Sequence, residues 1–135
     1  EVNRPISDIT FKDCAVIYHD ATWDANRIPA LAIIVEQGGG SISNVTYENI
    51  EIHQAKSRAI GCMILTDGIE NFKIENINYK NVSYSSALPN RIASNNMASN
   101  SLSANFENLY YNGNKITSLD AGQFEYDGYA KLTIK

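Results

Sequence analysis

The sequence predicts an all-β fold, a short solenoid of about four to five coils wound as a parallel β-helix. Three observations carry that expectation: a phrase stated four times, a one-residue slip of alternation inside the phrase, and an Asn or Asp at the slip points. Aligned on an aromatic residue, the copies are "ISDITFKDCAVI" (6–17), "ISNVTYENIEIH" (42–53), "IENINYKNVSYS" (74–85) and "LSANFENLYY" (102–111). The anchors Phe11, Tyr47, Tyr79 and Phe106 stand 36, 32 and 27 residues apart. A repeat of variable period is expected of one supersecondary unit stacked on its neighbours, with insertions on one side.

The second copy shows the mechanics. Val45 and Tyr47 alternate with Thr46 and Glu48, and Ile50 and Ile52 alternate with Glu51 and His53. Each half has the period of two of a half-buried strand. The phase slips by one residue at Asn49, and a slip in a straight strand would turn the second half outward. A bend at Glu48-Asn49 keeps both halves on one core. Asp8, Asn44 and Asn76 recur at the first slip point, and Asp13, Asn49, Asn81 and Asn108 at the second. Such side chains tolerate left-handed backbone, so Asn44, Asn49, Asn76, Asn81 and Asn108 are expected to be structural corners whose amides bond one another up the stack. The anchor aromatics are expected to face inward as a core stack.

Further strands are expected between the copies. "LAIIV" (31–35), "CMIL" (62–65) and "KITSL" (115–119) each read as one, while "NRIASNNMASNS" (90–101) is polar and Asn-rich and reads as a loop or a weakly specified edge. "FEYDGYAKLTIK" (124–135) alternates as a last strand bent at Asp127-Gly128, or as a cap. The competing architecture, an antiparallel sandwich, needs hairpin signals, and "YNGN" (111–114) is the single strong one. Asn44-Val-Thr and Asn81-Val-Ser match the glycosylation pattern, but both Asn fall at corners where a glycan would disturb stacking.

Composition narrows the function classes. With 135 residues, 44% hydrophobic and 19% charged, the chain suits one folded domain, 1–135. A net charge of -4 without a basic run argues against nucleic acid as a partner. No apolar run approaches the roughly 18 residues of a membrane-spanning helix, so a membrane partner is not expected. The first residue is Glu1 rather than Met, which suggests a mature form or a piece of a longer protein. Cys14 and Cys62 read as two buried thiols or one disulfide. Two scattered histidines give no metal site, and no cofactor is expected.

The phrases "ISNVTYENIEI" and "IENINYKNVSY" and the tail "FENLYYNGNKITSLDAGQF" resemble the C-terminal coils of right-handed parallel β-helix carbohydrate-active proteins, the polygalacturonase-like and dextranase-like glycoside hydrolases. The resemblance covers almost the whole chain, and it implies a right-handed helix and a carbohydrate partner. It does not carry over a catalytic set. The Asn-x-Asp, Asp-Asp, Gly-His-Gly and Arg-x-Lys motifs of the polygalacturonase-like hydrolases are missing, and His19 and His53 have no flanking glycines.

Glycoside hydrolysis needs two carboxylates about 5 Å apart for retention, or roughly 6.5 to 9.5 Å for inversion. Stacking sets Lys12 and Lys80 on either side of Glu48, and Ser83 beside Glu51, which reads as a surface charge ladder. Asp67 lies in the turn-like "TDGIEN". The insertion "HDATWDANR" gathers His19, Asp20, Trp23, Asp24 and Arg27 where binding loops sit. Trp23 offers a flat apolar platform for a sugar ring, with the acids bonding its hydroxyls, or it plugs the stack. Asp20, Asp24 and Asp67 are the weak catalytic candidates. The expectation is a domain that binds or presents polysaccharide, a plant or microbial glucan or pectin, without catalysis of its own. One rival is the C-terminal part of a β-helix hydrolase acting on α-glucan or pectin, with its acids partly upstream; another is a structural or adhesive β-helix. Expected partners are polysaccharide, a catalytic domain in the same polypeptide and, through open stack ends, further copies of the chain.

Overall fold

The structure is a computed structural model, described here over residues 4–20, 29–35, 40–64, 72–92, 102–126 and 130–135. Among these residues every regular element is a strand: β1 Ile6–Val16, β2 Leu31–Val35, β3 Gly40–Ala55, β4 Ile60–Ile64, β5 Phe72–Ser86, β6 Asn90–Ile92, β7 Leu102–Tyr111, β8 Asn114–Lys115, β9 Phe124–Tyr126 and β10 Ala130–Ile134. They form two sheets. One has the order β1-β3-β5-β7-β10, with β8 on the end of β7, and the other has the order β2-β4-β6-β9. Successive copies of the repeated phrase are therefore neighbours in the first sheet, and the intervening strands build the second. All pairings are parallel except the short β7–β8 hairpin. The domain is all-β, of parallel strands joined by long-range contacts, with a β-solenoid-like architecture.

The register matches the repeat. Phe11 pairs with Tyr47, Tyr47 with Tyr79, and Tyr79 with Phe106. Their rings stack at centroid distances of 5.3, 5.1 and 5.1 Å. A fifth copy continues the ladder with Ile134 opposite Phe106, a coil whose anchor is not aromatic. Each corner has the expected backbone: Asp8, Asp13, Asn44, Asn49, Asn76, Asn81 and Asn108 all have φ between 51° and 61°. That conformation tilts the strand without breaking the ladder, so Val45, Tyr47, Ile50 and Ile52 are all buried despite the slip at Asn49.

The corner side chains form two ladders. In one, Asn76 Nδ2 donates to Asn44 Oδ1 at 2.8 Å and Asn44 Nδ2 donates to Asp8 Oδ1 at 2.9 Å. In the other, Asn108 donates to Asn81 at 3.1 Å, Asn81 to Asn49 at 2.9 Å and Asn49 to Asp13 at 2.7 Å.

The core lies between the sheets. Ile74, Ile77, Tyr79, Val82, Leu102 and Phe106 from the first sheet meet Leu31, Ile33, Ile60 and Ile92 from the second. The tyrosines are satisfied there: the Tyr47 and Tyr79 hydroxyls donate to the Ala32 and Leu31 carbonyls of β2 at 3.3 and 3.4 Å. At one edge of the core the Tyr84 hydroxyl donates to Asn90 Oδ1 at 2.6 Å, and Asn90 Nδ2 donates to the Gly122 carbonyl at 2.7 Å. Burial pushes the Tyr84 phenol well above its ordinary value. Gly61 sits so close to the neighbouring strand that a Cβ there would run into the Arg91 carbonyl oxygen.

Four expectations are corrected. "KITSL" is not a strand: Asn112-Gly113 makes the hairpin turn that "YNGN" signals, Asn114–Lys115 pairs antiparallel with β7, and the chain then leaves the sheet. The second-sheet strand of that coil is instead Phe124–Tyr126. Asn90–Ile92, expected as a loop or a weakly specified edge, forms β6 between β4 and β9, with Asn90 and Ile92 fully buried. Phe11 joins the aromatic stack but not the core: it is 48% exposed, because no described strand covers β1 on its outer side. Cys14 is likewise exposed, with a free thiol.

Candidate functional site

Alternation after the second corner decides what the first sheet shows to solvent. In β3 it turns Glu51 and His53 outward and Ile50 and Ile52 inward; in β5 it leaves Ser83 and Ser85 on the outer face on either side of buried Tyr84. In β7 Tyr110 points out between buried Leu109 and Tyr111, and remains 42% exposed. The register then sets Glu51, Ser83 and Tyr110 side by side on three consecutive strands. Each stands two residues past its corner, Asn49, Asn81 or Asn108.

Tall side chains flanking short ones leave an open cleft of about 260 Å³ lined by Glu51, His53, Ser83, Ser85, Tyr110 and Gly113. The serines are the floor. Tyr110 is one wall, and the Glu51–His53 pair, with Nε2 and Oε2 3.6 Å apart, is the other. Two strand spacings of about 4.8 Å separate the walls at the backbone. The lining offers an apolar ring face, one carboxylate acceptor, an imidazole and two hydroxyls able to donate or accept. A second polar groove runs past Glu75, Asn76, Ser103, Asn105, Lys131 and Thr133. There the Asn105 amide bonds Asn76 and Asn78 at 3.3 and 3.1 Å.

Of the residues singled out in the sequence, His19 and Asp20 follow β1 at the margin of the sheet. His19 is fixed through its backbone: its N–H donates to the Gln54 carbonyl at 2.7 Å and its own carbonyl accepts from Lys56 N–H at 2.9 Å. Asp20 accepts from the Tyr18 hydroxyl at 3.0 Å and lies 4.0 Å from Lys56 Nζ, which sits 5.6 Å over the Tyr18 ring. Trp23, Asp24, Arg27 and Asp67 lie outside the described residues. One rung of the charge ladder is an ion pair, with Lys12 Nζ 2.8 Å from Glu48, and Lys80 stands opposite Glu48 in the strand register on its other side. Among the described residues no three His, Cys, Asp or Glu side chains converge in a way that would hold a metal ion.

Sequence reasoning identified Glu51 beside Ser83 but not the cleft, because Tyr110 enters it through the register of a third strand. The signal was available in the shared offset from the corners. No protein-family model, curated protein or solved structure matches the chain.

Proposed function

We propose that the chain is a right-handed parallel β-helix domain of a secreted, carbohydrate-associated protein, and that it binds polysaccharide on the outer face of its first sheet without cleaving it. One observation carries this reading: a serine-floored cleft between an exposed tyrosine ring and a Glu–His pair, set on three hydrogen-bonded strands. A sugar ring has an apolar C–H face and an equatorial rim of hydroxyls. Tyr110 matches the first through its ring, and Glu51, His53, Ser83 and Ser85 match the second as acceptors and donors. Because the groups stand on strands rather than loops, little ordering cost is added on binding. The cleft contains a single carboxylate, whereas hydrolysis takes a facing pair. Right-handedness is supported by the strong preference of parallel β-crossovers for that hand and by the resemblance of the coils to carbohydrate-active helices.

The test is affinity electrophoresis of the 135-residue chain through dextran, other α-glucans, pectin and xylan, with reducing-sugar release read from the same samples. Retardation by at least one polysaccharide, without release, is the expected result. Tyr110→Ala should weaken binding by about tenfold or more, on the order of 1.4 kcal/mol, and leave the unfolding midpoint unchanged. Glu51→Gln should weaken it less. Retardation lost in Trp23→Ala but kept in Tyr110→Ala would move the site to the 21–28 insertion. Release of reducing sugar would overturn the non-catalytic reading.

A further inference from the structure

β1 forms one end of the first sheet and, among the described residues, pairs on one side only. It is 11 residues long, and its inward positions carry Ile6, Ile9, Phe11, Cys14 and Val16. The equivalent residues one coil further in are largely buried, yet Ile6, Ile9 and Phe11 are 37%, 36% and 48% exposed. An unpaired strand with one apolar face is a template for another strand. The polar residues of β1 restrict what that strand can be.

A parallel continuation by the same kind of coil is opposed at the corners. Both amide ladders end at β1 on carboxylates, Asp8 and Asp13, each accepting from the coil above. An ionised carboxylate cannot donate to the Asn oxygen that a further corner would present. Head-to-tail stacking of whole copies meets a second obstacle. The outer column runs Lys12, Glu48, Lys80, Glu107, and closes on Lys135, which follows Ile134 opposite Phe106. Charge alternates along it, so each end is a lysine, and head-to-tail contact would bring Lys135 of one copy beside Lys12 of the next.

We propose that β1 is a homodimerisation edge, pairing antiparallel with β1 of a second copy about a two-fold axis at Thr10. In that register Ile9 faces Phe11 of the second copy and Ile6 faces its Cys14, so apolar meets apolar. Asp8 faces Lys12 of the second copy, so that carboxylate meets a cation; Asp13 faces its Ser7, a neutral residue whose hydroxyl donates to Asp8 of its own chain, so no like charge opposes it. Two-fold symmetry repeats every one of these contacts. Lys12 then lies between Glu48 of its own chain and Asp8 of the other, which extends the alternation of charge across the axis. The left-handed corners of the two strands sit one residue out of step, as a bulge would accommodate. Shifting the register by one would match the corners but set Ile9 against Lys12.

The experiment is sedimentation equilibrium of the 135-residue chain together with a cross-linking variant. The wild type should show a monomer–dimer equilibrium and no larger species. Thr10→Lys, at an exposed position, sets two lysines opposite each other on the axis and should raise the dissociation constant by at least about tenfold without moving the unfolding midpoint of the dilute monomer. Ile6→Cys should give a disulfide-linked dimer through native Cys14 of the other copy on mild oxidation, and Cys14→Ser in that background should remove it, since a bridge forms only where Cα atoms approach within about 7 Å. A chain that stays monomeric at every concentration overturns the proposal and leaves the edge to a strand of another polypeptide. Open-ended polymers, or a dimer indifferent to Thr10→Lys, also overturn it.

Discussion

Phe11 and Tyr79 hold the same place in the repeated phrase and the same place in the aromatic stack, but the first is 48% exposed and the second fully buried. Nothing local distinguishes them: both follow a corner by three residues and precede the next by two. The difference is how many coils cover each. Tyr79 is sandwiched between Tyr47 and Phe106 and bonded across the core to Leu31, whereas Phe11 has Tyr47 on one side and solvent on the other. In a stacked fold the energetic weight of a residue is set by its coil, and the motif sets only its direction.

The sharpest way to break that comparison is alanine at both anchors. Tyr79→Ala should cost about 3–5 kcal/mol in urea unfolding, from lost burial plus the cavity left in a close-packed core. Phe11→Ala, measured in the dilute monomer, should cost about 1 kcal/mol, since only half of the ring is withdrawn from water. Equal losses would mean that the cover over a coil does not set the weight of its anchor.

The corners offer a second, smaller contrast. Asn49 gives one ladder bond to Asp13 and receives one from Asn81; Asp13 receives one and gives none. Alanine at either site adds a left-handed penalty of about 1–2 kcal/mol. With each bond contributing about 1 kcal/mol net, Asn49→Ala should exceed Asp13→Ala by roughly that amount. Glycine at the same positions removes the backbone penalty and isolates the ladder. If the gap between the two sites vanishes with glycine, the ladder adds nothing beyond conformation.

The smallest effect concerns pH and only the outer coil. The Ser7 hydroxyl, and after it the Asn44 amide, hold the Asp8 carboxyl below its ordinary 3.8. A carboxyl lowered by folding contributes stability that is complete above its unfolded pKa and is lost as pH falls through the folded one. Asp8→Asn should therefore flatten the acid limb of the stability curve slightly and leave neutral stability nearly unchanged, read as urea midpoints on either side of the carboxylate range. The inner counterpart Asn44 does not titrate, but its amide helps to hold Asp8 low, so Asn44→Gly should flatten that limb in the same direction and by less.

Much of this architecture was legible in the sequence because its rules are local. Period-two alternation, an Asn at each slip and an aromatic anchor gave the strands, corners and register of four coils. The fifth was expected only as a last strand or a cap within 124–135 and not as a copy of the phrase, because Ile134 stands where an aromatic was sought. β6 was hidden for a different reason: Asn90 is buried only because Tyr84 and Gly122, the latter 32 residues away, satisfy its amide. The candidate site divides similarly. The outward direction of Glu51 and His53 could be read from alternation, while their meeting with Tyr110 depends on two successive pairings across insertions of different length.

The second amide ladder has a further property. Its three asparagines all donate in one direction, so their dipoles are aligned and sum along the stack in the manner of peptide units along a helix. The N–H end of the row meets the anion of Asp13, and the oxygen end accepts from Lys115 Nζ at 2.8 Å. A row of neutral side chains thus carries an acid at its positive pole and a base at its negative pole. Each amide is polarised by the next and by these two terminal charges, so a change at Lys115 or Asp13 should be felt by the asparagines between them.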